Sequence, residues 1–180
     1  MISDFVKGRK KDNYPPGILA GISLHRLIDA FTDTHAATQE AKSVFRPAYR
    51  LYSGAFVDVA YDHFLATDPA VFSDQSLFTF SQQVYTMLSR HMEAMPPAFA
   101  AMFPYMQSQN WLYHYREITG TRNSFAGLVR RAAYLEESKT AGRLFEQHYD
   151  FLKSCYRSFW SDMRPYAQQQ YLLLKAGAGL

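Results

Sequence analysis

The sequence predicts an all-α fold, a single-domain helical bundle spanning residues 1–180, on three observations. Apolar residues recur at helical spacing through most of the chain, no stretch alternates polar and apolar residues ahead of a tight hairpin turn, and the prolines and glycines fall between long segments. With 48% hydrophobic, 16% aromatic and 19% charged residues, the composition can build a packed core and is unlike a disordered tail.

The first helix follows Tyr14-Pro15-Pro16-Gly17, because a proline in the first turn gives up an N–H that has no helical partner anyway. Over about 18–34, Ala20, Leu24, Leu27, Ile28 and Phe31 collect on one arc that should face the core. A short helix covers about 38–49, broken near Pro47, and a strong one covers about 54–67, ended by Asp68-Pro69. Asp74 or Ser76 caps a helix running to about 92, Pro96-Pro97 opens another to about 109, and a shorter one covers about 111–118. Gly120 and Gly127 read as punctuation. One long helix is expected over about 135–163, stopping near Pro165, with Ala176-Gly177-Ala178-Gly179 as a frayed end.

The net charge of +3 falls on the first eleven residues, where Lys7, Arg9, Lys10 and Lys11 face only Asp4; the rest of the chain balances. A pI near 8.9 therefore reports one basic segment, which argues against a nucleic-acid binder with a charged stripe and leaves room for an acidic partner. The single cysteine, Cys155, excludes an intramolecular disulfide and a cysteine-cluster metal site, and fits a reducing compartment. No run approaches the ~18 apolar residues that span a bilayer, and MISDFVKGRKK does not read as a signal peptide. The expectation is a soluble cytoplasmic protein with no membrane segment.

Two helices carry polar residues that a plain bundle would not need. In the first, His25, Asp29 and Asp33 lie at i, i+4 and i+8, which puts an imidazole and two carboxylates on one face; a solvated helix face has the same pattern, although Ile18 and Ile22 share this one. In the 54–67 helix, Phe56, Val57, Val59, Ala60, Tyr61, Phe64 and Leu65 cover nearly the whole circumference, so Asp58, Asp62 and His63 should be largely buried. Two carboxylates one turn apart there need a cation, a proton or a metal ion, and an ion pair to Arg26, Arg46 or Arg50 would serve as well as a metal. Oxygen and imidazole donors suit Mn, Fe, Zn or Mg. His91, His114 and His148 lie apart, with no carboxylate at helical spacing that completes a set, and read as ordinary surface or half-buried histidines. His35 sits at a helix end, where it can meet terminal carbonyls.

At Ser3-Asp4-Phe5-Val6-Lys7-Gly8, Leu24-His25-Arg26-Leu27-Ile28-Asp29, Phe31-Thr32-Asp33 and Tyr61-Asp62-His63-Phe64-Leu65, the sequence resembles the acyl-carrier-protein phosphodiesterases, also called acyl-carrier-protein hydrolases. The similarity continues through Trp111-Leu112, Tyr115-Arg116, Arg130-Arg131 and the Tyr149…Phe159 stretch. The resemblance implies an HD-domain-like helical enzyme that removes the 4′-phosphopantetheine arm from holo-acyl carrier protein with a divalent metal, typically manganese, with magnesium, iron or zinc as other options. The adjacent His-Asp pair of ordinary HD proteins is absent; its nearest equivalents are His25…Asp29 and the reversed Asp62-His63. Family members also resemble one another through some twenty residues ahead of the DFVKG motif, so the chain is expected to lack the family's first helix.

On this reading Asp4, His25, Asp29 and Asp62 hold one or two divalent ions, which lower the pKa of a bound water. His63 either donates a proton to the leaving serine oxygen or orients a ligand, and Arg26 contacts a phosphate oxygen. Lys7, Arg9, Lys10 and Lys11 steer the acidic carrier protein. Two other functions share these residues: a metal phosphohydrolase acting on a nucleotide or small phosphoester, and a non-catalytic helical module that binds an acidic protein.

Overall fold

The computed structural model describes residues 2–6, 14–177 and 179, without the side chains of Ile2 and Asp4. Its helices are α1 (Pro16–Thr34), α2 (Ala36–Tyr49), α3 (Ser53–Ala66), α4 (Asp74–Ser89), α5 (Pro97–Ser108), α6 (Trp111–His114), α7 (Ile118–Arg131), α8 (Lys139–Gln147) and α9 (Tyr149–Gly177). Short 3-10 turns occupy Ile2–Phe5, Arg50–Tyr52 and Met92–Ala94, and no strand occurs among the described residues. The fold is all-α.

The hydrophobic circumference of α3 makes it the central helix. Phe56, Val57, Ala60 and Phe64 are 0–1% exposed, and α2, α7 and α9 pack around them. Phe45 of α2, Phe56 of α3, Phe125 of α7 and Phe145 of α8 interlock with ring centroids 5.4–6.0 Å apart. Each such side chain contributes roughly 1.5–3 kcal/mol through burial. A second cluster, Tyr85, Phe99, Phe103 and Met106, joins α4 to α5, and Phe5 of the first turn packs on Phe99 at 5.7 Å.

Three segments depart from the sequence reading. Residues expected to be punctuated at Gly120 and Gly127 form α7: a Cβ at Gly120 would overlap the His114 carbonyl oxygen, so this glycine permits a close approach of backbone inside a helix. The expected helix over 135–163 starts only at Lys139 and breaks at His148 (φ −110°, ψ 22°) into α8 and α9. The break lets Phe145 and Tyr149 both face α3, where their rings lie 5.8 and 5.0 Å from Phe64. Finally, α9 continues through Pro165 to Gly177, and α2 continues through Pro47. An interior proline costs about 3 kcal/mol. Packing of α9 along α1, including Tyr166 stacked on Phe31 at 4.4 Å, offsets it.

The most buried residue of α1 is Ile22, which is outside the predicted apolar arc and on the side shared with Arg26. The start of the chain covers that side: Val6 is buried, and Arg26 Nη2 donates to the Val6 carbonyl oxygen at 2.6 Å. Only Ile28 and Phe31 of the predicted arc pack on the main core cluster.

Candidate active site

On α1, the i, i+4 spacing brings His25 Nδ1 to 2.9 Å from Asp29 Oδ2 in a partly exposed pair. Asp33 leaves this set, because Lys42 of α2 holds its carboxylate at 2.9 Å. Arg26 spends a guanidinium N–H on Val6, and so docks the turn Ile2–Phe5, which carries Asp4, against α1. The side chain of Asp4 lies outside the described residues, as do Lys7, Arg9, Lys10 and Lys11.

On α3, the expectation of buried carboxylates is corrected. Asp58 and Asp62 occupy the one stripe of the helix that solvent reaches. Even so, the protein packed about Asp62, and then the like charge of Asp58, push its carboxyl up to about 7, against a hydrogen bond with Tyr115 that holds it down. Of the arginines considered as partners, Arg26 donates to Val6 and Arg46 to Gln39.

His63 points the other way and is 2% exposed. Its Nδ1 donates to the Tyr115 carbonyl oxygen at 2.8 Å and its Nε2 accepts from the Tyr149 hydroxyl at 3.0 Å, which sets the tautomer. Burial holds its pKa below the ordinary value. Both ring nitrogens are committed to internal partners, so the geometry supports an orienting role. His35 caps α2 by accepting from the Ala37 N–H at 3.2 Å, rather than meeting carbonyls at the end of α1.

The residue that links these groups is Tyr115, which sequence reasoning met only inside the family-like segment Tyr115-Arg116. Its carbonyl is fixed by His63, its hydroxyl pairs with Asp62 and Ser124, and burial followed by the charge of Asp62 raises its pKa. Ser124 belongs to α7, so the site spans the groove between α3 and α7. No periodicity could have joined Tyr115 to Asp62 across 53 positions.

A divalent ion suits the donor types present. Among the described residues no group of three or more His, Cys, Asp or Glu side chains converges; the carboxylates and imidazole are brought together as pairs. The turn Ile2–Phe5, which carries Asp4, packs on the same helix as the His25–Asp29 pair. No helix among the described residues is long and apolar enough to cross a membrane.

The sequence pattern of the family described as acyl carrier protein phosphodiesterase matches residues 1–163. Proteins of that name from Yersinia pestis and Klebsiella pneumoniae are 31% and 32% identical over 173 residues, covering 96% of this chain and 90% of theirs. One from Escherichia coli is 31% identical over 177 residues. No solved structure matches. The match extends over the turn that carries Asp4, the His25–Asp29 pair, Asp62 and Tyr115, and the chain belongs to the acyl carrier protein phosphodiesterase family.

Proposed function

We propose that this protein hydrolyses the phosphodiester joining 4′-phosphopantetheine to a serine of acyl carrier protein, releasing the apo carrier. Membership of the family supports the substrate class. The observation in the fold that carries the reading is Asp62, whose carboxyl is pushed up to about 7 one helical turn from Asp58 and beside Tyr115. A carboxylate pair that already favours taking up a proton is one that a divalent cation also stabilises.

Asp4, His25, Asp29 and Asp62 would hold one or two such ions, manganese by resemblance to the family, with His25–Asp29 on α1 and Asp62 beside Asp58 on α3 as separate pairs of donors. When bound, the metal supplies a nucleophilic water at neutral pH and compensates phosphate charge. Asp29 fixes the orientation of the His25 imidazole through the 2.9 Å contact. Tyr115 holds Asp62 in place, and His63 holds the Tyr115 backbone, so His63 acts as a positioning residue. Overall, water oxygen bonds to phosphorus and the phosphorus–oxygen bond to serine breaks. One water proton ends on the serine oxygen and the other stays with 4′-phosphopantetheine. Lys7, Arg9, Lys10 and Lys11 steer an acidic carrier protein by long-range attraction.

The test is mass spectrometry of holo-acyl carrier protein after incubation with the purified chain and manganese. Loss of the phosphopantetheine mass, absent with Asp62→Asn or Asp29→Asn, is expected. An unchanged carrier mass at every divalent metal tried would overturn the reading.

A further inference from the structure

The Asp58–Asp62 stripe is negative, and a phosphodiester is an anion, so besides any metal ion a fixed side-chain cation beside the stripe would favour binding one there. Arg26 has an N–H committed to the Val6 carbonyl oxygen at 2.6 Å. The last turn of α7 supplies another. Ser124, Gly127 and Arg131 fall at i, i+3 and i+7, one face of the helix, and Ser124 is where the Tyr115 hydroxyl bonds. Arg130 and Arg131 both fold back over Gly127, their Nη2 and Nη1 3.7 and 3.6 Å from where its Cβ would stand, but only Arg131 falls on the Ser124 face. From there its charge acts on Tyr115, the neighbour of Asp62. The residue is solvent-exposed, so it can meet a ligand.

We propose that Arg131 is the anion-binding residue of this site, its guanidinium receiving the phosphate oxygens of the substrate beside Asp62 and Tyr115. The assignment rests on the phosphodiesterase reading for its substrate and on α7 for its geometry. A planar guanidinium offers two parallel N–H donors to a phosphate, which a lysine does not. The competing use of an arginine in a last helical turn is to complement the helix dipole, and that use would affect stability alone.

Inorganic phosphate is the probe, titrated by calorimetry into the full chain with manganese present. Arg131→Gln is expected to weaken phosphate binding by about ten- to a hundredfold, the value of a hydrogen bond to a charged group. Arg131→Lys should fall between, and Arg130→Gln should stay within about twofold of wild type, all with unchanged circular dichroism. The same phosphate affinity in wild type and Arg131→Gln would overturn the assignment, as would a variant that lost only thermal stability. Carrier hydrolysis separates the two proposals. A wild type that binds phosphate through Arg131 yet leaves holo-acyl carrier protein intact sinks the substrate reading and supports the anion site. A wild type that hydrolyses the carrier as fast as Arg131→Gln, with equal phosphate affinity, does the reverse.

Discussion

His63 Nδ1 lies 2.8 Å from the carbonyl oxygen of Tyr115, fifty-two positions along the chain, and this bond connects the buried side of α3 to its open side. Replacing the imidazole by an aromatic ring of similar size leaves the Tyr115 carbonyl and the Tyr149 hydroxyl without partners. His63→Phe is expected to lose about 1–3 kcal/mol, read as a lower urea midpoint. It should also lower activity or manganese affinity by about ten- to a hundredfold, because the imidazole holds Tyr115 and, through it, Asp62.

The pH dependence of that bond has a definite sign. Burial depresses the His63 pKa below its ordinary value near 6.5, so its contribution is complete above that pH and is lost as pH falls below it. Wild type should therefore show an acid-side decline in urea midpoint that is smaller in His63→Phe.

Asp62 acts in the opposite direction. Its carboxyl titrates near 3.8 when unfolded and at about 7 when folded, so its stabilising contribution is full below the lower value and disappears as pH rises to the upper one. In metal-free protein, Asp62→Asn should be more stable than wild type at about pH 8, with the gap closing toward about pH 4. A gap independent of pH would place the titration elsewhere. Manganese should raise the midpoint of wild type at pH 8 and have a smaller effect on Asp62→Asn.

Asp29 tests function against structure. An exposed i, i+4 pair contributes about 0.2–0.5 kcal/mol, so Asp29→Ala should barely move the melting temperature. If the carboxylate holds a metal and orients His25, carrier hydrolysis should fall by about a hundredfold or more. Equal activity would remove Asp29 from the site.

Gly120 is a structural prediction. Alanine is normally the better helix former, yet here its methyl would overlap the His114 carbonyl oxygen, and Gly120→Ala should unfold at lower urea. At Gly127 a Cβ meets only the ends of Arg130 and Arg131 at ordinary contact distance, so Gly127→Ala should gain about 0.5–1 kcal/mol.

Much of the fold was legible because helical periodicity is a local property. The apolar surround of α3, the proline entry to α1 and the i, i+4 contact of His25 with Asp29 all followed from spacing. The misreadings have tertiary causes. Gly120 looked like a helix breaker because the carbonyl it accommodates belongs to α6, and Pro165 looked like a stop because the docking of α9 on α1 is invisible from within α9. The arc of α1 was misplaced because the docking of the chain start on the Arg26 side of the helix is a long-range contact.

For the candidate site the division is similar. By itself the sequence determined the fold class, the candidate donor types and which residues share a helix face, since each is set by composition or by the 3.6-residue repeat; the family was legible separately, from the ordered motifs around Asp4, His25–Asp29 and Asp62-His63. Only the tertiary structure decided that Asp58 and Asp62 open to solvent, that His63 turns inward, that Arg26 serves the chain start, and that Tyr115 meets Asp62. Those depend on which helix packs beside which, and packing is decided by contacts between residues far apart in the chain, about which local spacing carries no information.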